Sequence, residues 1–256
     1  MNAALALGIS LVTAAGAARA GALTRGGAGA AVLVGTAVLF GAGWSGAAML
    51  AAFFVSSIAV GRIALVCGRT ADAAAERRNA RQVLANGAAA AAGAVLARPS
   101  PGLGLAIVCG SLGAAAADTW ATSIGAFSRT DPRHLLTGRR VPRGTSGGVS
   151  LLGTLAGLGG AATVALSGAL AGGGARLALI GIPVGFGGML LDSLLGASVQ
   201  GRFECPECGI ATERRRHQCA TPARRVGGLP WLDNDGVNAL STIVAALAAG
   251  IWWANR

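Results

Sequence analysis

The sequence predicts an all-α fold: a polytopic integral membrane bundle of about eight transmembrane helices, with seven as the alternative count. The composition is the first observation behind this class. The 256 residues have a mean hydropathy of +0.61, with 53% hydrophobic and 12% charged residues, which is too apolar for a soluble domain of this length. The second observation is a series of apolar stretches, each long enough to cross a bilayer.

These stretches divide the chain into predicted helices. They fall at roughly 1–18, 24–42, 44–66, 82–97, 102–127, 149–170, 175–200 and 237–254. Gly and Ala run through all of them, and small residues favour close helix packing in a membrane. The first stretch lacks the charged start and the cleavage motif of a signal peptide, so it is predicted to remain as a helix. We expect residues 1–256 to form a single membrane domain, with residues 201–236 as a cytoplasmic loop.

The basic residues predict the orientation of this bundle. All 21 are Arg, and eighteen of them lie in the first, third, fifth and seventh connections between predicted helices. By the positive-inside rule, these connections are cytoplasmic and both termini lie outside the inner (plasma) membrane of the cell. The net charge of +11 is therefore explained by the lipid bilayer. We predict no nucleic-acid partner, because no soluble domain presents the basic residues.

The acidic residues favour an enzyme over a transporter. Eight of the ten lie in the connections predicted to be cytoplasmic, and Asp118 and Asp192 lie in the cytoplasmic halves of the fifth and seventh predicted helices. A transporter needs polar groups that can be reached from both sides, whereas an enzyme with a cytosolic cosubstrate needs them at one surface. A secondary transporter that uses the two Asp residues as an ion site stays the alternative.

Each of the two membrane-embedded carboxylates is followed by hydroxyl side chains. Asp118 precedes Thr119 and Thr122, and Asp192 precedes Ser193. An ionised Asp within a membrane helix costs about 2.5 to 3.5 kcal/mol, so a functional role is the first hypothesis. For Asp118, a structural pair with Arg that holds helices together is the alternative. Mg²⁺ would offset this cost and binds such oxygens, so we predict a magnesium site of Asp118 and Asp192 that bridges phosphate oxygens.

Two basic segments are candidates for phosphate binding. In the first, Arg78, Gln82 and Asn86 would share one helix face, with Arg81 nearby. Anchoring to anionic lipid headgroups and interhelical hydrogen bonding by Asn86 are the alternatives. The second segment is a glycine-rich turn that opens the sixth predicted helix. It consists of Arg143 followed by Gly144, Thr145, Ser146, Gly147 and Gly148.

Glycines in such a turn let the backbone approach an anion, and a helix start then supplies free amides. An ordinary capped turn is the alternative for the same residues. The start of the last predicted helix adds Asn234, Asp235 and Asn238 as further candidate ligands. Here a helix-capping role for Asp233, Asn234 or Asp235 is the alternative.

Four potential metal ligands lie in the long connection before the last helix. They are Cys205, Cys208, His217 and Cys219. A disulfide is not expected on a cytoplasmic face. The Cys-x-x-Cys pair and the following His-x-Cys pair predict a small structural zinc knuckle.

Five segments of the chain resemble, in order, the signatures of the transmembrane protein 19 family, formerly a domain of unknown function. They are Arg81-Gln-Val-Leu-Ala-Asn-Gly87, Ala117-Asp-Thr-Trp-Ala-Thr-Ser-Ile-Gly125, Gly144-Thr-Ser-Gly-Gly-Val149, Leu191-Asp-Ser-Leu-Leu-Gly-Ala197 and Asp233-Asn-Asp-Gly-Val-Asn238. The family includes plant and cyanobacterial phytyl-phosphate kinases. Where it commonly has Ser-Glu, this chain has Thr122-Ser123, so one potential metal ligand or base is absent.

The resemblance implies transfer of a phosphoryl group from a nucleoside triphosphate to a prenyl monophosphate. Asp118, Asp192 and Arg143 would then be catalytic, and the other polar residues of the five segments would bind substrate or nucleotide. Another lipid-phosphate nucleotidyltransferase or phosphotransferase is a further alternative. Prenyl chain length, the nucleotide and the oligomeric state stay open.

Overall fold

Helices make up most of the chain in the computed structural model, which describes residues 1–69, 77–96, 98–209, 211–212, 216, 219 and 221–255. A short π-helical segment, Ala169–Gly173, joins two of them. The helices are α1 (Ala3–Arg19), α2 (Arg25–Val66), α3 (Ala80–Leu96), α4 (Pro101–Gly125), α5 (Leu151–Gly168), α6 (Gly174–Ser198) and α7 (Asn234–Ala254). The predicted all-α membrane bundle is confirmed.

Two small antiparallel sheets lie in connections between helices. β1 (Arg133–His134) pairs with β2 (Gly148–Val149) between α4 and α5. Between α6 and α7, β3 (Arg202–Glu204) lies between β4 (Ala211–Thr212) and β5 (Arg224–Gly227). Neither sheet follows from the apolar pattern of the sequence, because the strands are too short to show a period of two.

The long helix α2 folds back on itself at Gly43. Its 42 residues would extend about 63 Å as a straight helix, at about 1.5 Å per residue. However, Arg62 near its end donates a hydrogen bond of 2.8 Å to the carbonyl of Ala20, which precedes its start. Gly43 has φ +59° and ψ −146°, a conformation that side chains disfavour, and it provides the reversal. The predicted break between residues 42 and 44 coincides with it.

The chain reverses in a similar way between α5 and α6. Gly172 and Gly174 have φ of +111° and +75°. The two reversals touch, since the Ser45 hydroxyl donates to the carbonyl of Ala171 at 2.8 Å. By length and composition, four helical stretches of the described residues can cross a membrane, among them Arg25–Val66 and Leu151–Ser198 with their reversals. The predicted count of eight crossings is therefore not confirmed.

The helix α4 lies at the centre of the bundle and contacts α2, α3, α5, α6 and α7. Residues 108–117 are all buried, as expected for a helix that is apolar on every face. A Cβ on Gly181 of α6 would collide with Cys109, and one on Gly113 would lie 3.4 Å from Cα of Gly185. Residue 109 of α4 contacts residue 181 of α6, and residue 113 contacts residue 185. Because the residue numbers of the contacting positions rise together along the two helices, α4 and α6 run parallel and in close contact.

Candidate functional site

One end of the bundle, called here the polar end, collects the polar segments. It comprises the starts of α3, α5 and α7 and the ends of α4 and α6. Three of these helices have polar caps, since Asn79, Ser150 and Asp233 accept hydrogen bonds from amides of α3, α5 and α7. The opposite end holds the reversals at Gly43 and at 169–173. The structure therefore brings the five predicted polar segments to one end.

Asp118 and Asp192 lie at the same level on α4 and α6. A Cβ on Gly188 would lie 2.5 Å from Cβ of Ala114, so these two positions face each other. Asp118 follows Ala114 by four residues, and Asp192 follows Gly188 by four. Four residues are about one helical turn, so each Asp lies on the same helix face as the residue before it. Asp192 is 8% exposed, and Asp118 is half-buried at the end of the buried stretch of α4. The two carboxylates of the predicted magnesium site therefore lie at the same level of two neighbouring parallel helices.

α7 supplies a hydroxyl to this level that the sequence analysis missed. The Ser241 hydroxyl donates to Oδ2 of Asp192 at 3.1 Å and also lies 3.1 Å from the carbonyl oxygen of Asn238. Both Ser241 and Asp192 are buried. Next to it, the Thr242 hydroxyl lies 3.0 Å from the carbonyl oxygen of Ala85 on α3. A lone Ser-Thr pair in an apolar helix gives no sequence signal beyond ordinary helix packing.

The start of α3 differs from the predicted arrangement. α3 begins at Ala80, so Arg78 does not share a helix face with Gln82 and Asn86. Instead, the backbone of Arg78 pairs with the segment before α2, because its N–H donates to Ala22 and its carbonyl accepts from the amide of Thr24. The Arg78 guanidinium lies 5.6 Å from the centre of the Phe53 ring, and burial lowers its pKa.

Gln82 closes a reciprocal capping box with Asn79. The Gln82 side chain accepts from the amide of Asn79 at 3.0 Å, and the Asn79 side chain accepts from the amide of Gln82 at 3.1 Å. Asn86 donates to the carbonyl of Gln82 at 3.1 Å. Gln82 thus has a structural role at the start of α3, in addition to any contact with a ligand.

Arg81 joins α3 to α7. Two of its nitrogens lie 2.6 and 2.7 Å from the carboxylate oxygens of Asp233, and its Nε lies 3.6 Å from Asp235. Asp233 also caps α7, because it accepts from the amide of Gly236 at 3.1 Å. The capping role that the sequence offered as an alternative therefore belongs to Asp233.

The glycine-rich turn packs on the end of α6. A Cβ on Gly147, which has φ +73°, would collide with Ala197, so only glycine allows this approach. Gly148 lies on β2 and pairs with His134, while the Thr145 hydroxyl donates to Pro142 at 2.7 Å. Ala197 is little more than one turn after Asp192, so the turn packs on α6 about one turn beyond the level of Asp192.

The Arg143 guanidinium binds the chain that follows α4. Its Nη1 and Nη2 donate to the carbonyls of Ala126 and Ser128 at 3.0 and 2.7 Å, and its Nε lies 4.0 Å from Asp131. These bonds fix the guanidinium beside the glycine-rich turn. Each terminal nitrogen keeps a second N–H for another acceptor.

The remaining predicted residues lie around this end. The Thr119 hydroxyl donates to the carbonyl of Ala115, four residues earlier in its own helix, at 2.9 Å. Thr122 is exposed. Gly144 and Asn234 are exposed, and Ser146, Ser193 and Asn238 are half-buried.

The cysteines of the connection between α6 and α7 form a separate cluster. The Sγ atoms of Cys205, Cys208 and Cys219 all lie within 4.8 Å of one another. Hydrogen bonding with Cys219 and Cys205 raises the pKa of the Cys208 thiol to about 11. His217, the fourth predicted ligand, lies outside the described residues.

An apolar groove of about 150 Å³ runs between α6 and α7. Val184, Gly187 and Leu191 line it on α6, and Val244 and Ala248 line it on α7. Leu191 directly precedes Asp192, so the groove approaches the level of the carboxylates. Gly187 is exposed with no other group within 4 Å of a Cβ placed on it.

Fold and site together define a multi-pass integral membrane protein whose candidate site residues are gathered at one end. The family model of the integral membrane protein DUF92 matches residues 8–246. The chain belongs to this family.

Three relatives illustrate the match. The uncharacterized membrane protein MJ0933 of Methanocaldococcus jannaschii is 33% identical over 165 residues, 64% of this chain and 69% of that protein. Protein PGR of Arabidopsis thaliana is 29% identical and covers 83% of each chain. The uncharacterized membrane protein sll0875 of Synechocystis is 29% identical, over 90% of this chain and 82% of its own length. No solved structure matches the chain.

Proposed function

We propose that the protein is a membrane-embedded prenyl-phosphate kinase. It would transfer the terminal phosphoryl group of a nucleoside triphosphate to a phosphate oxygen of a prenyl monophosphate, leaving a nucleoside diphosphate and a prenyl diphosphate. The observation that carries the proposal is the pair Asp118 and Asp192 at one level of two parallel helices. The inclusion of phytyl-phosphate kinases in the family that the motifs resemble gives the substrate class.

The carboxylates suit Mg²⁺. Protein sites for this ion use one or two carboxylates and leave the other positions to substrate phosphates and water. Asp118 and Asp192 are such a pair, and the Ser241 hydroxyl holds Asp192 by a hydrogen bond of 3.1 Å. Mg²⁺ bound there would neutralise the phosphate charge. A buried carboxylate such as Asp192, 8% exposed, would gain from that cation.

The cationic and amide groups around the pair suit phosphates. The protein's share of phosphoryl transfer is mainly positioning and charge neutralisation. Arg143 and the turn Gly144–Gly148 would hold phosphates beside α6, and Arg78 would add a partly buried cation. Arg81 already pairs with Asp233 and Asp235. Arg81 would therefore bind nucleotide or substrate only if its N–H donors were shared between that ligand and the two carboxylates. Asn86, Asn234 and Asn238 would complete the site.

The groove between α6 and α7 suits the prenyl chain. Its lining is apolar, it opens at the exposed Gly187, and it leads to Leu191 beside Asp192. A lipid chain in this groove would place its phosphate at the polar end. The excess of Arg in the polar-end connections supports a cytoplasmic polar end in the inner membrane, with both termini outside.

The test is an assay of the purified protein with Mg²⁺, each nucleoside triphosphate and a panel of prenyl monophosphates. We expect a prenyl diphosphate from the wild type and none from Asp192→Asn, which keeps the shape of the side chain and removes its charge. Glu207→Gln is the control, because Glu207 is an exposed carboxylate of the connection between α6 and α7 that accepts a hydrogen bond of 2.8 Å from the Thr221 hydroxyl and has no part in the proposed site.

Full activity of Asp192→Asn would refute the assigned role of Asp192. Uptake of an ion or solute into proteoliposomes without nucleotide consumption would favour the secondary transporter. Nucleotide consumption with a different lipid product would identify another lipid-phosphate transferase.

A further inference from the structure

Three thiols converge at the tip of the connection between α6 and α7. Sγ of Cys219 lies 3.5 Å from Sγ of Cys205 and 3.8 Å from Sγ of Cys208. Cys205 directly follows β3, and Cys208 belongs to the turn towards β4. Gly209, with φ +65°, closes this turn by donating its N–H to the carbonyl of Cys205 at 2.8 Å. Cys219 comes from the chain between β4 and β5, so the cluster ties two segments together.

The sheet around these thiols has little core of its own. Phe203 is its one large apolar side chain that is buried among the described residues of β3, β4 and β5, and Val226 is 49% exposed. A small sheet without a sufficient core needs a crosslink or a metal ion to be stable. The three thiols are the groups in position to provide it.

A metal ion explains the arrangement better than a disulfide does. A disulfide joins two thiols and would leave the third without a role, whereas all three Sγ atoms lie within 4.8 Å of one another. Thiolate ligands select soft or borderline ions, of which Zn²⁺ forms tetrahedral structural sites with sulfur. Three cysteines would fill three of the four positions.

We propose that Cys205, Cys208 and Cys219 bind a structural Zn²⁺ ion that stabilises the connection between α6 and α7. This site is separate from the proposed kinase site and does not depend on it.

The base of the connection shows what such an ion would stabilise. The amide of Gly201 donates to the carbonyl of Leu232, and the amide of Leu229 donates to Val199, both at 2.8 Å. The chain then reaches Asp233, which caps α7 and pairs with Arg81. The sheet between these points has the three thiols at its far end, so bound zinc would hold the segment that leads into α7.

The first experiment measures metal in protein purified without chelator under reducing conditions. We expect about one zinc per chain in the wild type and in Cys67→Ser, because Cys67 is an exposed thiol at the end of α2 that does not belong to the cluster. Cys208→Ser should retain less than a tenth of that zinc. Wild-type protein without zinc, or Cys208→Ser with a full equivalent, would overturn the proposal.

A second measurement uses unmutated protein and so avoids any folding defect of the variant. Titration with a mercurial thiol reagent should release zinc in step with the loss of the clustered thiols, and a chelator should then increase hydrogen exchange in residues 199–212. A disulfide between two of the three cysteines in the reduced preparation would overturn the proposal, as would unchanged exchange after complete metal removal.

Discussion

Asp192 is a buried carboxylate whose surroundings could only partly be predicted. The sequence identifies it, because a charge in an apolar helix is costly and rare. It does not identify Ser241, which lies 49 residues away on a helix of opposite direction and donates to its carboxylate. The pairing arises from tertiary packing, and local sequence carries no sign of it.

Replacing Ser241 with Ala should weaken the response to Mg²⁺. A hydrogen bond to a charged group is worth about 1.5 to 3 kcal/mol, so the Mg²⁺ concentration for half-maximal activity should rise by about one to two orders of magnitude. Ser57→Ala is the matched control, since Ser57 is 2% exposed and its hydroxyl has no hydrogen-bond partner among the residues that the structure describes. Equal Mg²⁺ dependence in both variants would show that Ser241 does not contribute to Mg²⁺ binding.

The roles of the arginines were also only partly predictable. Arg78 was expected on a helix face, but the chain there is extended because its backbone pairs with residues 22 and 24. Arg81 is engaged by two carboxylates of α7. A single sequence gives the charge of these residues, but not the long-range partners that decide which of them can still bind a phosphate.

At the level of helices, glycine determines how closely α4, α6 and α7 approach. Gly187 and Gly188 are neighbours with opposite surroundings. A Cβ on Gly188 would lie 2.5 Å from Cβ of Ala114 and 3.1 Å from Cβ of Ala245, whereas a Cβ on Gly187 meets nothing within 4 Å. The two positions therefore form a natural matched pair.

Gly188→Ala should destabilise the protein, and Gly187→Ala should not. Overpacking of a tight contact costs about 1 to 3 kcal/mol, while Ala in place of an exposed helical Gly gains up to about 1 kcal/mol. Thermal unfolding in detergent would measure the difference. Equal melting temperatures for the two variants would contradict the close packing of α6 against α4.

A larger side chain at Gly187 should block the prenyl chain without disturbing the bundle. We expect Gly187→Phe to raise KM for a prenyl monophosphate by at least about tenfold, since the ring would fill the groove and displace apolar contact area. Gly29→Phe on α2 is the control, because Gly29 is also exposed with nothing within 4 Å of its Cβ position. An unchanged KM in Gly187→Phe would place the chain elsewhere.

The helices themselves were largely predictable, since apolar length and helix breaks are local properties. Predicted boundaries at 102–127 and 237–254 lie close to Pro101–Gly125 and Asn234–Ala254. The π-helical segment and the two small sheets were not predictable, because they depend on contacts between distant segments. The turn of Gly147 against Ala197 is such a contact.

The Arg distribution predicts how the whole molecule is oriented in the membrane. The native Cys67 makes this orientation testable. Cys67 is exposed at the polar end, and Ser100 precedes α4 at the opposite end. A membrane-impermeant maleimide should label Cys67 in inside-out vesicles only. In a Cys67→Ser background, position 100 of Ser100→Cys should be labelled in right-side-out vesicles only, as identified by peptide mapping, because Cys208 and Cys219 are exposed thiols as well. The reverse pattern would place the polar end outside.

The contact between the two reversals, from Ser45 to Ala171, has a consequence for the lipid substrate. Short turns join the helices there, while the polar side chains lie at the other end of the bundle. A prenyl phosphate bound with its headgroup at the polar end therefore belongs to the leaflet on that side, and its product returns to the same leaflet. The proposed enzyme would serve one leaflet, and lipid from the other leaflet would have to be flipped before it could react.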